Sequence, residues 1–237
     1  MTSPLVDHGD GIYSASATMR FPGFRLPIRM AAVALERGGL WLHSPIAADA
    51  ALLDAVAAKG DVRFVVAPNQ LHHLFVQPWL ERFAGAQLWG AAGLEHKRSE
   101  LTFTGFHGTA QDPWHDEIES IRIDGAPKLA ETVFFHRRSR TLIVTDLVFN
   151  LRTAEGWLAP LLLRMMGVHG KLAQSRAWRF GVKDRAAAAA SARRVLAMSP
   201  RRLVVAHGDV IEALPEGALE RALEWMLAGG KALPAAA

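Results

Sequence analysis

The chain of 237 residues contains no cysteine. That absence excludes disulfides, cysteine-ligated zinc, iron–sulfur clusters and thiol catalysis together, and it leaves the compartment open. No apolar run approaches the roughly 20 residues that a membrane-spanning helix needs. The longest, Trp157 to Val168, is interrupted by Pro160, Arg164 and Gly167. Met1 to His8 lacks the basic and then apolar segments of a secretory signal, so a cytoplasmic protein with no stable membrane insertion is expected. The glycine spacings of a P-loop, a dinucleotide-binding turn and a nucleophile elbow are missing too. NTPase, Rossmann and serine-hydrolase readings therefore lack their mechanical parts. The net charge is +4, yet pairs such as Arg137-Arg138, Arg193-Arg194 and Arg201-Arg202 are scattered. A nucleic-acid binder gathers its cations on one face with aromatics between them, so no nucleic-acid partner is expected.

What is present is a core-forming chain, half of it hydrophobic, without repeats or a linker. It reads as a single domain over 1–237 with a helical insertion at about 151–180. Short runs rich in β-branched residues predict strands at Met30–Leu35, Leu40–His43, Val62–Ala67, Gln87–Gly90, Ile118–Ile123, Thr132–His136, Thr141–Thr145 and Arg202–Ala206. Helical spacing predicts helices over Ala48–Lys59, Val76–Phe83, Ala154–Met166, Asp184–Met198 and Gly217–Gly229. Gly38-Gly39 and Arg137–Arg140 read as hairpin turns. The sum is a layered α/β pattern with antiparallel and parallel pairing.

Ligands of α/β proteins gather at the carboxyl ends of strands. Four such ends carry polar residues here: His43-Ser44-Pro45, Pro68-Asn69-Gln70-Leu71-His72-His73, Asp146, and His207-Gly208-Asp209. Imidazoles and carboxylates that are distant in sequence but share one edge can converge on a divalent metal. Each has a plainer alternative, a helix cap or a turn. Adjacent His72 and His73 diverge by about 100° at a helix start, so one of the two is structural.

The order of these segments resembles the metallo-β-lactamase superfamily, with Phe64–Asn69, Arg140–Phe149 and Val204–Asp209 carrying the likeness across roughly residues 8–225. It looks closest to an uncharacterised branch sharing the stretches HHLF, RTLIVTDL and HGD. The resemblance implies an αββα sandwich. It also implies that the motif is degenerate. In register, His-x-His-x-Asp-His becomes Asn69-Gln70-Leu71-His72-His73-Leu74, and the glycine-histidine turn becomes Gly125-Ala126-Pro127. An acid that often follows the second strand is replaced by His43. Asp146 and His207 alone retain the family's ligand types, so the full two-zinc site is absent.

On that resemblance, His73 at the aspartate position joins Asp146 and His207 as a single-metal set suited to zinc, iron or manganese, and the absence of any metal is equally compatible with the sequence. His72 is a further candidate ligand or support, and Glu131 a fourth ligand or general base. Asn69, Trp157, Met165 and Met166 are candidate substrate contacts, and the apolar 157–166 stretch reads as core, pocket lining or a homodimer face. The implied activity is metal-assisted hydrolysis of a small ester, thioester or related substrate. The rival is a binding protein on the same fold with its metal site lost.

Overall fold

The computed structural model describes residues 2–153 and 155–229. Two sheets face each other, each covered by helices on its outer side. The first runs in chain order through β1 (Val6–Asp7), β2 (Ile12–Phe21), β3 (Phe24–Ala34), β4 (Leu40–His43), then α1 (Ala50–Ala57), β5 (Val62–Ala67), α2 (Val76–Arg82), β6 (Gln87–Gly90), α3 (Leu94–Lys97) and β7 (Gly105–Phe106). Its seven strands lie side by side in sequence order. They are antiparallel up to β4 and parallel beyond it, because helices make the later crossovers.

The second half supplies β8 (Ile118–Arg122), β9 (Thr132–His136), β10 (Thr141–Val144), β11 (Phe149–Asn150), α4 (Ala159–Met166), β12 (Leu172–Ala173), α5 (Arg176–Phe180), α6 (Arg185–Ala197), β13 (Arg202–Val205), α7 (Ala218–Ala222) and α8 (Glu224–Ala228). Strands β13-β10-β9-β8 form the second sheet, and β11 with β12 makes a small separate ribbon.

Strand alternation builds the layers. Trp41, Phe64 and Val66 meet Phe134, Ile143 and Val204 between the sheets. Leu42, Val65 and Ala67 turn outward under Leu52, Val56 and Trp79 of α1 and α2. Leu142, Val144 and Leu203 turn outward under Ala188, Ala192 and Val195 of α6. Asp184 starts α6 by accepting from the backbone N–H groups of Ala186 and Ala187, a cap that contributes about 1 kcal/mol. The architecture is the expected αββα sandwich.

The short elements β1, α3, β7, β11, β12 and α5 carry too few residues for a periodic signal, and three longer elements also differ from the sequence reading. The long hairpin β2–β3 was legible only as Met30–Leu35; its ten-residue register from Ile12↔Val33 to Phe21↔Phe24 turns at Pro22-Gly23, with Gly23 at φ +72°. Ser14, Ser16 and Thr18 alternate with small or weakly apolar residues, which blunts the periodic signal. The last helix breaks into α7 and α8 at Leu223. Helix α4 begins at Ala159 rather than at the expected Ala154, which lies outside the described residues: Glu155 bridges Arg25 of β3 and Gly156 sits at φ +102°, so 155–158 form a turn. No described helix is long and apolar enough to cross a membrane.

Candidate metal centre

Three loops at strand carboxyl ends meet where the sheets open. The loop after β5 brings His72, the turn after β10 brings Asp146, and the loop after β13 brings His207. One ligand atom from each lies within 4.8 Å of the others, so this group could hold an ion. The two imidazoles approach Nε2 to Nε2 at 3.1 Å. Asp146 presents Oδ1 to His207 Nε2 at 3.3 Å and Oδ2 to His72 Nε2 at 3.4 Å.

The far side of each ring is occupied. His207 Nδ1 lies 2.9 Å from the Pro27 carbonyl oxygen, which can only accept. The proton of the neutral ring is therefore on Nδ1, and Nε2 offers its lone pair to the centre. The ring also stacks on Phe149, with centroids 4.7 Å apart. His72 Nδ1 is hydrogen-bonded to the Ser44 hydroxyl at 2.7 Å. Ser44 sits at φ +51°, a left-handed conformation uncommon for a non-glycine residue, held at the edge of the site. Gly208 follows His207 at φ +109°, where a Cβ would fall 2.1 Å from the Asn150 carbonyl oxygen. Only glycine lets the His207 loop lie this close to β11.

Asp146 is buried and doubly braced. Asn69 Nδ2 donates to Asp146 Oδ2 at 2.7 Å and to Thr145 Oγ1 at 3.0 Å. Glu131 lies behind it, and its Oε1 accepts from the backbone N–H groups of Thr145, Asp146 and Leu147 at 3.0–3.1 Å and from the Thr145 hydroxyl at 2.8 Å. Trp178 Nε1 donates to its other oxygen at 3.3 Å. Burial, then the Asp146 charge, pushes the Glu131 carboxyl up to about 7. Burial would also raise Asp146, but the His72 and His207 imidazoles, when they carry a proton on Nε2, outweigh it and hold its carboxyl well below the usual range.

The structure thus brings together His72, Asp146 and His207, and it puts His73 elsewhere. His73 Nδ1 lies 2.9 Å from Arg98 Nη1, and Arg98 also donates to the His73 carbonyl oxygen. Burial, with Lys97 and Arg98 nearby, lowers the His73 pKa. Asn69 explains the choice. Its Oδ1 accepts from the backbone N–H groups of Leu71 and His72, and this turn swings His72 inward. Where the sequence placed a substrate contact at Asn69, the structure has a buried brace whose two N–H donors and carbonyl are all engaged. Where it placed a fourth ligand or base at Glu131, the structure has a carboxylate that shapes the turn holding Asp146. Ser44 and the Pro27 carbonyl were not foreseen as partners of the histidines. The tripeptide His43-Ser44-Pro45 had marked that strand end, but Pro27 lies on the unread part of the hairpin.

Two cavities flank the centre. One, of about 390 Å³, is lined by Met19, Ile28, Ile46 and Phe75 together with His72 and His73. The other, of about 360 Å³, is lined by Leu129, Phe149, Met166 and Trp178. Leu26, Leu71, Asp146 and His207 border both. Of the apolar residues expected to meet substrate, Met166 lines a cavity, whereas Trp157 and Met165 lie on the surface, 81% and 62% exposed.

Residues 11–161 match a family described as a domain of unknown function, DUF4336. The chain belongs to this family. The matched stretch contains Ser44, Asn69, His72, Glu131 and Asp146, while His207 lies beyond it. No curated protein sequence matches the chain. Solved structures show that this DUF4336 member has the metallo-β-lactamase fold. A metallo-β-lactamase from Hirschia baltica superposes with a TM-score of 0.65 at 12% identity, over 94% of this chain and 98% of that one. One from Pontibacter korlensis gives 0.63 at 13% identity, over 94% and 97%. The rubredoxin oxygen:oxidoreductase of Desulfovibrio gigas gives 0.62 at 13% identity, over 94% of this chain and 61% of that one.

Proposed function

We propose that the chain is a single-metal hydrolase of a small ester, thioester or related substrate, with zinc, iron or manganese held by His72, Asp146 and His207. The observation that carries this reading is the bond from His207 Nδ1 to the Pro27 carbonyl oxygen. It directs an unprotonated Nε2 at the His72 Nε2 3.1 Å away, beside a buried carboxylate. The His207 Nε2 lone pair, the His72 Nε2 and a buried carboxylate at that separation suit a shared cation. A divalent metal there supplies a Lewis acid for a carbonyl oxygen and lowers the pKa of water.

The rest is done by the chain. Ser44 orients His72, Asn69 and the Glu131-held turn orient Asp146, and Phe149 with Pro27 orients His207. Leu26 and Leu71 border both cavities beside the triad, so the two arms of an ester would lie in separate, largely apolar cavities. His73 lines the first cavity beside Lys97, where it faces substrate in place of the metal.

A second reading, a ligand-binding protein without metal, draws on the same contacts. Asp146 already receives a hydrogen bond from Asn69 and touches both imidazoles. Elemental analysis of protein purified without a metal-affinity tag separates the two. The hydrolase reading expects about one equivalent of metal, as in three-ligand sites with an open position. It expects that metal to be lost in His207→Ala and His72→Ala and kept in His73→Ala. Metal-free protein that takes up neither zinc nor manganese sinks it.

A further inference from the structure

Of the nine large apolar side chains exposed among the described residues, Phe21, Leu71 and Leu74 line the first cavity, and Trp157, Leu161, Met165 and Phe180 lie on the neighbouring 155–180 segment. The hairpin tip supplies Phe21, stacked on Phe24 at 6.0 Å. The 155–158 segment packs on that tip, where the Leu158 backbone N–H donates to the Gly23 carbonyl oxygen and Trp157 and Leu158 lie against Gly23. Helix α4 continues from there with Leu161 and Met165 outward. Arg176 at the start of α5 donates to the Met165 carbonyl oxygen, and α5 ends in Phe180, which is 89% exposed. Leu71 and Leu74 close the ring from the His72 loop. Scattered singly such residues need no explanation, but a contiguous patch with a tryptophan does.

Cations outnumber acids along the segment that carries most of these side chains. From Arg152 to Lys183 the chain carries Arg152, Arg164, Lys171, Arg176, Arg179 and Lys183 against one acid, Glu155. Glu155 lies 3.7 Å from Arg25 of the hairpin. None of those six cations has an ion-pair partner among the described residues; Arg152, Lys171 and Arg179 border a neighbouring groove with Trp225, while Arg164 on α4 and Arg176, bonded to the Met165 carbonyl oxygen, lie beside the apolar side chains. A second copy of the chain on this face would set like charges together. An anionic surface would neutralise them.

We infer that this face docks on an anionic lipid bilayer, with Trp157, Phe180, Leu161 and Phe21 seated in the interface and the arginines and lysines among the headgroups. An exposed Trp/Phe/Leu face rimmed by Lys and Arg is the chemistry of interfacial binding, and it needs no spanning helix. Docking brings both cavity mouths to the lipid. On the hydrolase reading, on which this point rests, the substrate is an ester dissolved in the bilayer.

The test is co-sedimentation of the full chain with mixed phosphatidylcholine–phosphatidylglycerol vesicles and with phosphatidylcholine vesicles alone. Binding is expected to the anionic vesicles, with the Trp157 share of the fluorescence shifting to the blue and that shift absent in Trp157→Phe. Arg164→Ser should weaken binding about fivefold, the share of one cation near a charged surface. Trp157→Ser with Phe180→Ser should weaken it roughly tenfold or more, and the remote Val6→Ser not at all. Absence of binding, equal binding by the double variant, a blue shift with inorganic phosphate alone, or a lipid-free dimer that buries Trp157 overturns the inference. Turnover separates the two ideas. Loss of hydrolysis of a vesicle-borne ester in Phe180→Ser, with a soluble short ester still cleaved, supports both. Cleavage of the two esters at unchanged rates overturns the docking inference, and cleavage of neither by the metal-loaded wild type overturns the hydrolase reading while vesicle binding stands.

Discussion

The centre and the rim are a few side chains apart and are built on opposite rules. At the centre, Asn69, Glu131, Asp146 and His207 are buried, and most of their polar atoms have a named partner. At the rim, Trp157, Leu161, Met165 and Phe180 project into solvent and bury little. A buried polar network has to be satisfied throughout, because each orphaned group in it costs about 1–3 kcal/mol. An exposed apolar side chain contributes almost nothing to the fold that carries it. The contrast separates residues that define the molecule's shape from residues free to meet something else.

The sharpest way to break that contrast is Glu131→Ala. It leaves three backbone N–H groups and a hydroxyl without their acceptor in a buried turn. Stability should fall by about 3–5 kcal/mol in urea titration. A loss under 1 kcal/mol would mean that water replaces the carboxylate and that the turn is not held by it.

Next in size is Asn69→Leu, which keeps the volume and removes the brace on Asp146 and His72. If the centre holds metal, affinity should drop about 10–100-fold in competition with a chelator, while the fold survives. Unchanged affinity would show that the ligands are positioned without Asn69.

A smaller effect concerns pH. His43 and His107 are buried against the Phe134 ring, with His43 Nε2 and His107 Nδ1 unpartnered among the described residues. Burial first, then the neighbouring His72 and His107, lowers the His43 pKa well below its ordinary value, and burial lowers that of His107. The folded rings stay neutral while the unfolded chain takes up protons below about pH 6.5. Their contribution is therefore complete above that pH and is lost as pH falls through it. His43→Phe should flatten the decline in melting temperature between about pH 6.5 and 5; an equally steep decline would shift the cause to other groups. At the bottom of the scale, Phe180→Ser should change stability by no more than about 0.5 kcal/mol. A larger loss would mean that the rim belongs to the core.

Much of the fold was written in local pattern. Runs such as Val62–Ala67 and Thr141–Val144 are buried along their length and need only their own composition to be read as strands. Strand β2 was not, because it is held by ten paired positions on β3 that no window of sequence contains. At the site, Asp146 and His207 were legible as polar residues ending apolar strands. The choice between His72 and His73 was not, since the rotation of one against the other is decided by the Asn69 side chain binding the chain two and three residues on. Glu131 was visible as a carboxylate near a strand, but the four donors on its Oε1 come from the far end of the β9–β10 hairpin, 14 to 16 residues on. What it binds is a product of tertiary packing.

The Pro27 carbonyl links the centre to the hairpin that carries part of the rim. Strand β3 grips the His207 loop twice, through Pro27 and through Arg29, whose guanidinium donates to the Gly208 carbonyl oxygen. The same strand begins at the hairpin tip that carries Phe24. A substitution that frees the hairpin tip would therefore reach His207 only through those two bonds and the ten paired residues of β2 and β3.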